Sequence, residues 1–222
     1  MDGAQSSSIV QVNGGILQGV GTVGPVFPTS ASATVAPGDS PGVLYSGDFG
    51  GGGGGTLQVE LNGPTLGSGY DQLNVSGTVN LTGMSLSASL GYASSVNDQF
   101  TIIANDGSDA VTGTFSGLPQ GKKLYLGKEL FQISYTGGSG NDVVLTRLTT
   151  PPPPTLYIEP TAPASVRLFW ATNDPPFSLQ TATNLPSTNW IAASPAPVAI
   201  GTNNVVTNAA SSPEQFYRLS NP

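Results

Sequence analysis

Apolar and polar residues alternate one by one over much of this chain. Leu57, Val59 and Leu61 stand against Gln58, Glu60 and Asn62; Met84, Leu86, Ala88 and Leu90 against Ser85, Ser87 and Ser89; Phe131, Ile133 and Tyr135 against Gln132, Ser134 and Thr136. Successive side chains of a strand point to opposite faces, so a two-residue period is that of a strand with one face buried. Phe100, Ile102 and Ala104 repeat the pattern and are predicted to face the core. No stretch keeps helical spacing for long without a Gly or Pro, and the expectation is an all-β protein with almost no helix. The stretch from Gln99 to Leu148 is the best specified of these regions.

Ahead of it the apolar pieces are shorter. Ile9, Val10 and Val12, then Ile16 and Leu17, then Val20 and Val23 are separated by Gly14, Gly15, Gly19, Gly21 and Gly24. Pieces of this length suit the rungs of a solenoid, in which a short strand is followed by a sharp corner. Gly-Thr followed by an apolar residue recurs at Gly21-Thr22-Val23, Gly55-Thr56-Leu57, Gly77-Thr78-Val79 and Gly113-Thr114-Phe115, at irregular steps. The spacing favours an irregular parallel β-helix over one of strict period. Gly50 to Gly55 is read as an exposed corner loop or hinge. Asp48-Phe49-Gly50 matches the kinase magnesium triplet, but none of the accompanying kinase motifs is present.

Composition narrows the function. Of 222 residues only 9% are charged, and 13 acids against 6 bases give a net charge of -7. That balance disfavours nucleic-acid binding, which needs clustered Lys and Arg. Lys122, Lys123 and Lys128 form the one basic group and read as a soluble turn beside the strand Leu124 to Leu126. Cysteine is absent, which removes disulfides and thiolate metal sites. The N-terminal MDGAQSSSIV lacks a basic region and a long apolar run, so it reads as a mature end or as a fragment with an added start residue, not as a secretory signal. No segment approaches the about 20 apolar residues of a membrane span.

The succession VAPGDSPGVLYSGDF, GGTLQVELNG, GYDQLNVSGTVNLTGMSLSASLG, NDQFTIIANDG, AVTGTFSGLPQG and FQISYTGGSGNDVVLT resembles the autotransporter-associated β-strand repeat family, also called passenger-associated transport repeat proteins, over about residues 20 to 148. The resemblance implies a parallel β-helix at the end of a secreted or cell-surface protein, adhesin-like or fibrous, with no catalytic residues. The chain departs from that pattern in ending without a membrane barrel.

Pro151 to Pro154, between Thr150 and Thr155, make a stiff polyproline spacer. Three regions are therefore expected: a β-solenoid over 1–148, a proline-rich linker over 149–155, and a small β-sandwich over 156–222. In the last, short strands are predicted at Leu156 to Ile158, Val166 to Trp170, Phe177 to Thr181, Trp190 to Ala192, Val198 to Ile200, Val205 to Thr207 and Phe216 to Leu219, packed around Trp170, Trp190 and Phe216. SVRLFW, FSLQTATNL, NWIAA and FYRLS are similar to fibronectin type III-like tails of secreted bacterial proteins, and the segment is short for that family.

Candidate chemistry is sparse. Gly137 to Leu145 fits one calcium nonapeptide with Asp142 as ligand, and Asn105-Asp106-Gly107-Ser108-Asp109 offers Asp106 and Asp109. The competing reading is a glycine-rich hairpin and an aspartate-stabilised turn. No other cofactor is expected. With no histidine and no cysteine the usual general bases and nucleophilic dyads are missing, the acids are scattered, and no enzyme is expected. Tyr70, Tyr92, Tyr125, Trp170 and Trp190 are weighed between sugar stacking and core packing. The resulting expectation is an extracellular or cell-surface structural, adhesive protein that self-associates by strand exchange, Ser8 to Leu17 being an uncharged edge to donate; the competing reading is that upstream rungs of a longer precursor cover this edge. The alternative is a carbohydrate-binding module of a secreted polysaccharide-processing system.

Overall fold

The computed structural model describes residues 3–5, 7–51, 53–161, 164–173, 175–185, 189–210 and 214–220. Met1 and Asp2 of the N-terminal segment and Gly52 of the glycine run lie outside them. The described residues are all-β, with no helix and several sheets, some of them parallel. No helix among them is long and apolar enough to cross a membrane. The chain divides into two compact units, Met1–Thr149 and Thr150–Pro222.

In the first unit strands follow one another in threes: β1 (Gly3–Gln5), β2 (Val10–Val12) and β3 (Gly15–Gly19); β4 (Gly21–Val23), β5 (Val26–Pro28) and β6 (Ala33–Pro37); β7 (Val43–Ser46), β8 (Phe49–Gly50) and β9 (Thr56–Leu61); β10 (Gln72–Val75), β11 (Val79–Asn80) and β12 (Ser85–Leu90). Each of the first nine pairs in parallel with the strand three further on. This gives a sheet running β1-β4-β7-β10, a second of β2-β5-β8-β11 and a third of β3-β6-β9-β12. Ala4, Thr22, Tyr45, Asn74 and Ala104 lie in line across the first sheet, and the chain spends progressively more residues on each return. The inner faces of all three sheets meet in one core that includes Val26, Val35, Leu44, Leu57, Leu73 and Val79.

β13 (Gln99–Asn105) extends the first sheet in parallel; β14 (Lys123–Leu126), β15 (Glu129–Gly137) and β16 (Asp142–Leu148) then continue it antiparallel, in the order β13-β16-β15-β14. Phe100 anchors this change of direction, with Tyr70 edge-on at 5.3 Å and Phe131 at 6.1 Å between ring centroids. β12 and β15 keep the predicted alternation. In β13 the phase changes: the pairing with β16 shifts between Thr101 and Ile103, so that Ile103 and Asn105 are buried and Ala104 is only half-buried. A bulge inserts one residue into a strand of strict period two, and everything after it changes face.

Two other expectations are corrected. The Gly-Thr repeats do not mark equivalent places, since those at 21, 55 and 77 fall in or against β4, β9 and β11, one in each parallel sheet. Nor is the glycine run simply an exposed hinge. Gly50 and Gly55 are buried, and a Cβ on Gly50 would clash with Asn80 O while one on Gly55 would lie 2.7 Å from Pro28 Cβ. Both have positive φ, of 91° and 105°, so glycine is required here by close approach of neighbouring turns as well as by backbone conformation.

The second unit contains β17 (Tyr157–Thr161), β18 (Ser165–Ala171), β19 (Ser178–Ala182), β20 (Ile191–Ala192), β21 (Val198–Ile200), β22 (Asn203–Ala209) and β23 (Phe216–Ser220). They form two antiparallel sheets, β17-β18-β22-β21 and β20-β19-β23. Leu168, Trp170, Leu179, Ala193 and Val206 form the core cluster. Trp170 takes the central place expected of it. Trp190 and Phe216 do not: both are half-buried and outside that cluster, and Arg218 lies 4.4 Å over the Trp190 ring.

Candidate functional site

The two ends of the first unit differ. β1, β2 and β3 are the terminal strands of the three parallel sheets, each paired on one side only among the described residues. Residues 3–19 carry no charged side chain, and Ile9 and Ile16 are each 64% exposed. At the other end β16 occupies the far edge of β13, and Leu81 N and Ser116 N donate to Thr112 O and Met84 O beside β11 and β12. In the second unit β21 is likewise a terminal strand without charge, with Val198 and Ile200 63% and 62% exposed. Unpaired strand edges are normally blunted by charge, proline or a covering element; β1, β2, β3 and β21 themselves contain no charged residue and no proline, although Pro197 directly precedes β21.

A second concentration of polar groups lies at the corner between β9 and β10. Asp71 is 3% exposed, and its carboxylate accepts from Gly42 N at 2.7 Å and Glu60 N at 2.8 Å. Burial pushes the Asp71 carboxyl above the ordinary range against the pull of those two amides, and the nearby Glu60 charge pushes the same way. The Glu60 side chain accepts from Ser40 Oγ at 2.6 Å and Asn62 Nδ2 at 3.3 Å. A shallow cleft runs from here past Gln58, Gln18 and Ile16. Both Asp71 oxygens are committed to main-chain amides, so the pair ties the 38–42 loop and β9 to β10 and is not arranged as an acid and a base. Sequence reading passed over this pair because Glu60 and Asp71 are separated by a loop that folds back only in three dimensions.

The calcium candidates converge without forming a cage. Asp142 Oδ1 accepts from Asn105 N at 2.9 Å; Asn105 Nδ2 donates to Asp109 O at 2.9 Å; and Asn141 Nδ2 donates to Asp106 O at 3.0 Å and Asp109 O at 3.1 Å. The structure thus brings Asp106, Asp109 and Asp142 into one pair of loops, with the amide of Asn141 bridging the carbonyls. Among the described residues no group of three or more His, Cys, Asp or Glu side chains is placed to hold a metal. Asn105 Oδ1 is buried without a partner, a consequence of the bulge that turned Asn105 inward.

Another group of polar residues serves the antiparallel end. Glu129 Oε2 accepts from Ser94 Oγ, from Ser94 N at 3.2 Å and from Arg147 Nε at 2.9 Å. Burial alone would raise the Glu129 pKa, but Ser94 and Arg147 outweigh it and hold the carboxyl below its ordinary value. Tyr92 donates to Asp98 Oδ2 at 3.1 Å, and burial together with that carboxylate pushes its phenol up to about 12. Tyr70, Tyr92 and Trp170 are packed into cores or against them, and Tyr125 is half-buried in β14. Lys123 begins β14, and Lys128 lies in the turn before β15.

No family model, curated protein or solved structure matches the chain.

Proposed function

We propose that the chain is a structural, adhesive protein of the extracellular face or cell surface, built as an irregular parallel β-helix followed by a small β-sandwich, and that copies join through their uncharged strand edges. The observation that carries the proposal is the pair of unguarded edges: β1, β2 and β3 in the first unit and β21 in the second. A terminal strand presents backbone donors and acceptors in line along its outer side, and adding a strand engages them without any special side chain. An edge on one unit meeting a different edge on another copy is a heterologous contact, which yields an open filament when the rotation does not close. The resemblance to autotransporter-associated repeats supports the same location and task. The proposal assigns no catalysis, since Asp71 and Glu129 are each engaged by amides, hydroxyl or guanidinium groups of the chain itself.

The test is negative-stain electron microscopy with light scattering on the full chain and on Ile16→Lys and Ile200→Lys. Both side chains are mostly exposed, so a charge there leaves the cores intact and penalises only edge pairing. Concentration-dependent assemblies in the parent that are lost in either variant are expected. A parent that stays monomeric at every concentration, or assemblies unchanged in both variants, would refute edge joining.

A further inference from the structure

The second unit holds a pocket of about 230 Å³ lined by Thr181, Ala182, Thr183, Asn189, Ile191 and Gln215. Its position follows from the strand pattern. In β19 Leu179 faces the core, so Thr181, two residues on, takes the same face, and its direct cross-strand neighbours are Ile191 in β20 and Tyr217 in β23. Ile191 is 58% exposed although its neighbour in register, Thr181, is half-buried. The volume lies below the ~300–1,000 Å³ of sites for drug-sized molecules and suits one small ring.

We propose that this pocket binds a single residue of a neutral saccharide. Among the described residues no ionisable side chain lines it; Glu214, next to Gln215 in the chain, is exposed and not part of the lining. The nearest cation on these strands, Arg218, is the register partner of Gln180, which alternates to the other face from Thr181; its guanidinium is held there by Gln180 Oε1 at 2.8 Å and by the Trp190 ring. Among the described lining residues an anion finds no counter-charge and a cation no carboxylate. The lining supplies hydroxyls from Thr181 and Thr183 and amides from Asn189 and Gln215, set around the aliphatic surface of Ile191. Gln215 Nε2 donates to Thr181 Oγ1 at 3.1 Å, which holds two of these groups in a fixed relation. A purely apolar guest would strip water from the Thr181, Thr183 and Gln215 groups without replacing its hydrogen bonds. A pyranose ring offers both halves of the match, with hydroxyls around its rim and C–H groups on its faces. The pocket gives the adhesive part of the proposed function a ligand class and rests on that part alone; edge joining plays no role in it.

The experiment is amide-resolved NMR titration of the full chain carrying Ile16→Lys, which keeps edge joining from broadening the spectrum. The probes are the methyl glycosides of glucose, galactose, mannose and N-acetylglucosamine, with glucuronate as the charged control. At least one neutral glycoside is expected to give saturable shifts confined to the amides of residues 181–183, 189–191 and 215, with a dissociation constant on the order of 1–10 mM. Adding Thr181→Val with Gln215→Leu, or separately Ile191→Glu, is expected to weaken binding at least about tenfold, and glucuronate to leave the spectrum unchanged. The absence of saturable shifts with all four glycosides overturns the assignment, as do shifts that persist unaltered in the variants. The Ile191→Glu variant places a charge at an exposed position, so it reads the pocket even where the double substitution perturbs the fold. Sugar binding without assembly, or assembly without sugar binding, tells the failure of one proposal from that of the other.

Discussion

Replacing Asp71 separates a structural tie from a passive surface acid. In Asp71→Ala, Gly42 N and Glu60 N lose their acceptor at a position where Asp71 itself is 3% exposed. A hydrogen bond to a charged group contributes about 1.5–3 kcal/mol, so two of them set an upper bound of about 3–6 kcal/mol. Removing the carboxylate also removes its desolvation cost, the same cost that lifts its pKa, and the net loss is expected at about 2–4 kcal/mol. Asp71→Asn keeps one acceptor oxygen but turns an amide N–H₂ towards a main-chain donor, and should lose roughly half as much. At about 2–4 °C per kcal/mol for chains of this size, the alanine variant should melt roughly 4–16 °C lower. Urea unfolding followed by near-ultraviolet circular dichroism reads the effect, because Tyr70 lies next in sequence and edge-on to Phe100. An alanine variant within about 0.5 kcal/mol of the parent, the range of ordinary surface substitutions, would refute the reasoning.

Acid should weaken the first unit through Glu129. Its folded pKa lies below the unfolded value, so its contribution is complete above the ordinary glutamate range and is lost as pH falls through the depressed value. The stability gap between the parent and Glu129→Gln should therefore be wide at neutral pH and narrow in acid; a gap independent of pH would remove Glu129 from the account. Gly50→Ala should destabilise by about 3 kcal/mol or more, from left-handed backbone strain together with the clash against Asn80 O. Gly117→Ala, at φ 72° with nothing within 4 Å, should cost only about 1–2 kcal/mol. Equal losses in thermal melts of the two glycine variants would show that close approach at Gly50 is unimportant.

How much was legible in the sequence depended on whether a feature is local. β12 and β15 follow their apolar period residue by residue, and the strands of the second unit lie within three residues of the apolar runs that announce them, because alternation is written in adjacent positions. The division between units falls beside the proline run for an equally local reason: proline lacks the donor that a sheet would need. The Asp71 and Glu60 corner was not legible, since its meaning lies in amides supplied by Gly42 and by Glu60 itself across a folded loop. The pocket around Thr181 was hidden likewise, because Gln215 is brought to it from a distant part of the chain.

By itself, then, the sequence determined that the chain is all-β, where most strands lie and which of their side chains are buried, since burial in a strand is decided by period two and by apolar surface. Tertiary structure alone decided which strands are neighbours. The Gly-Thr repeats, alike in sequence, went to three different sheets, because register is selected by where each inner face finds the common core and not by local resemblance. It also decided the exceptions to the period. The bulge after Thr101 turned Asn105 inward and Ala104 partly outward because β13 had to meet an antiparallel partner, β16, on one edge and a parallel one, β10, on the other; its own residues do not encode that requirement.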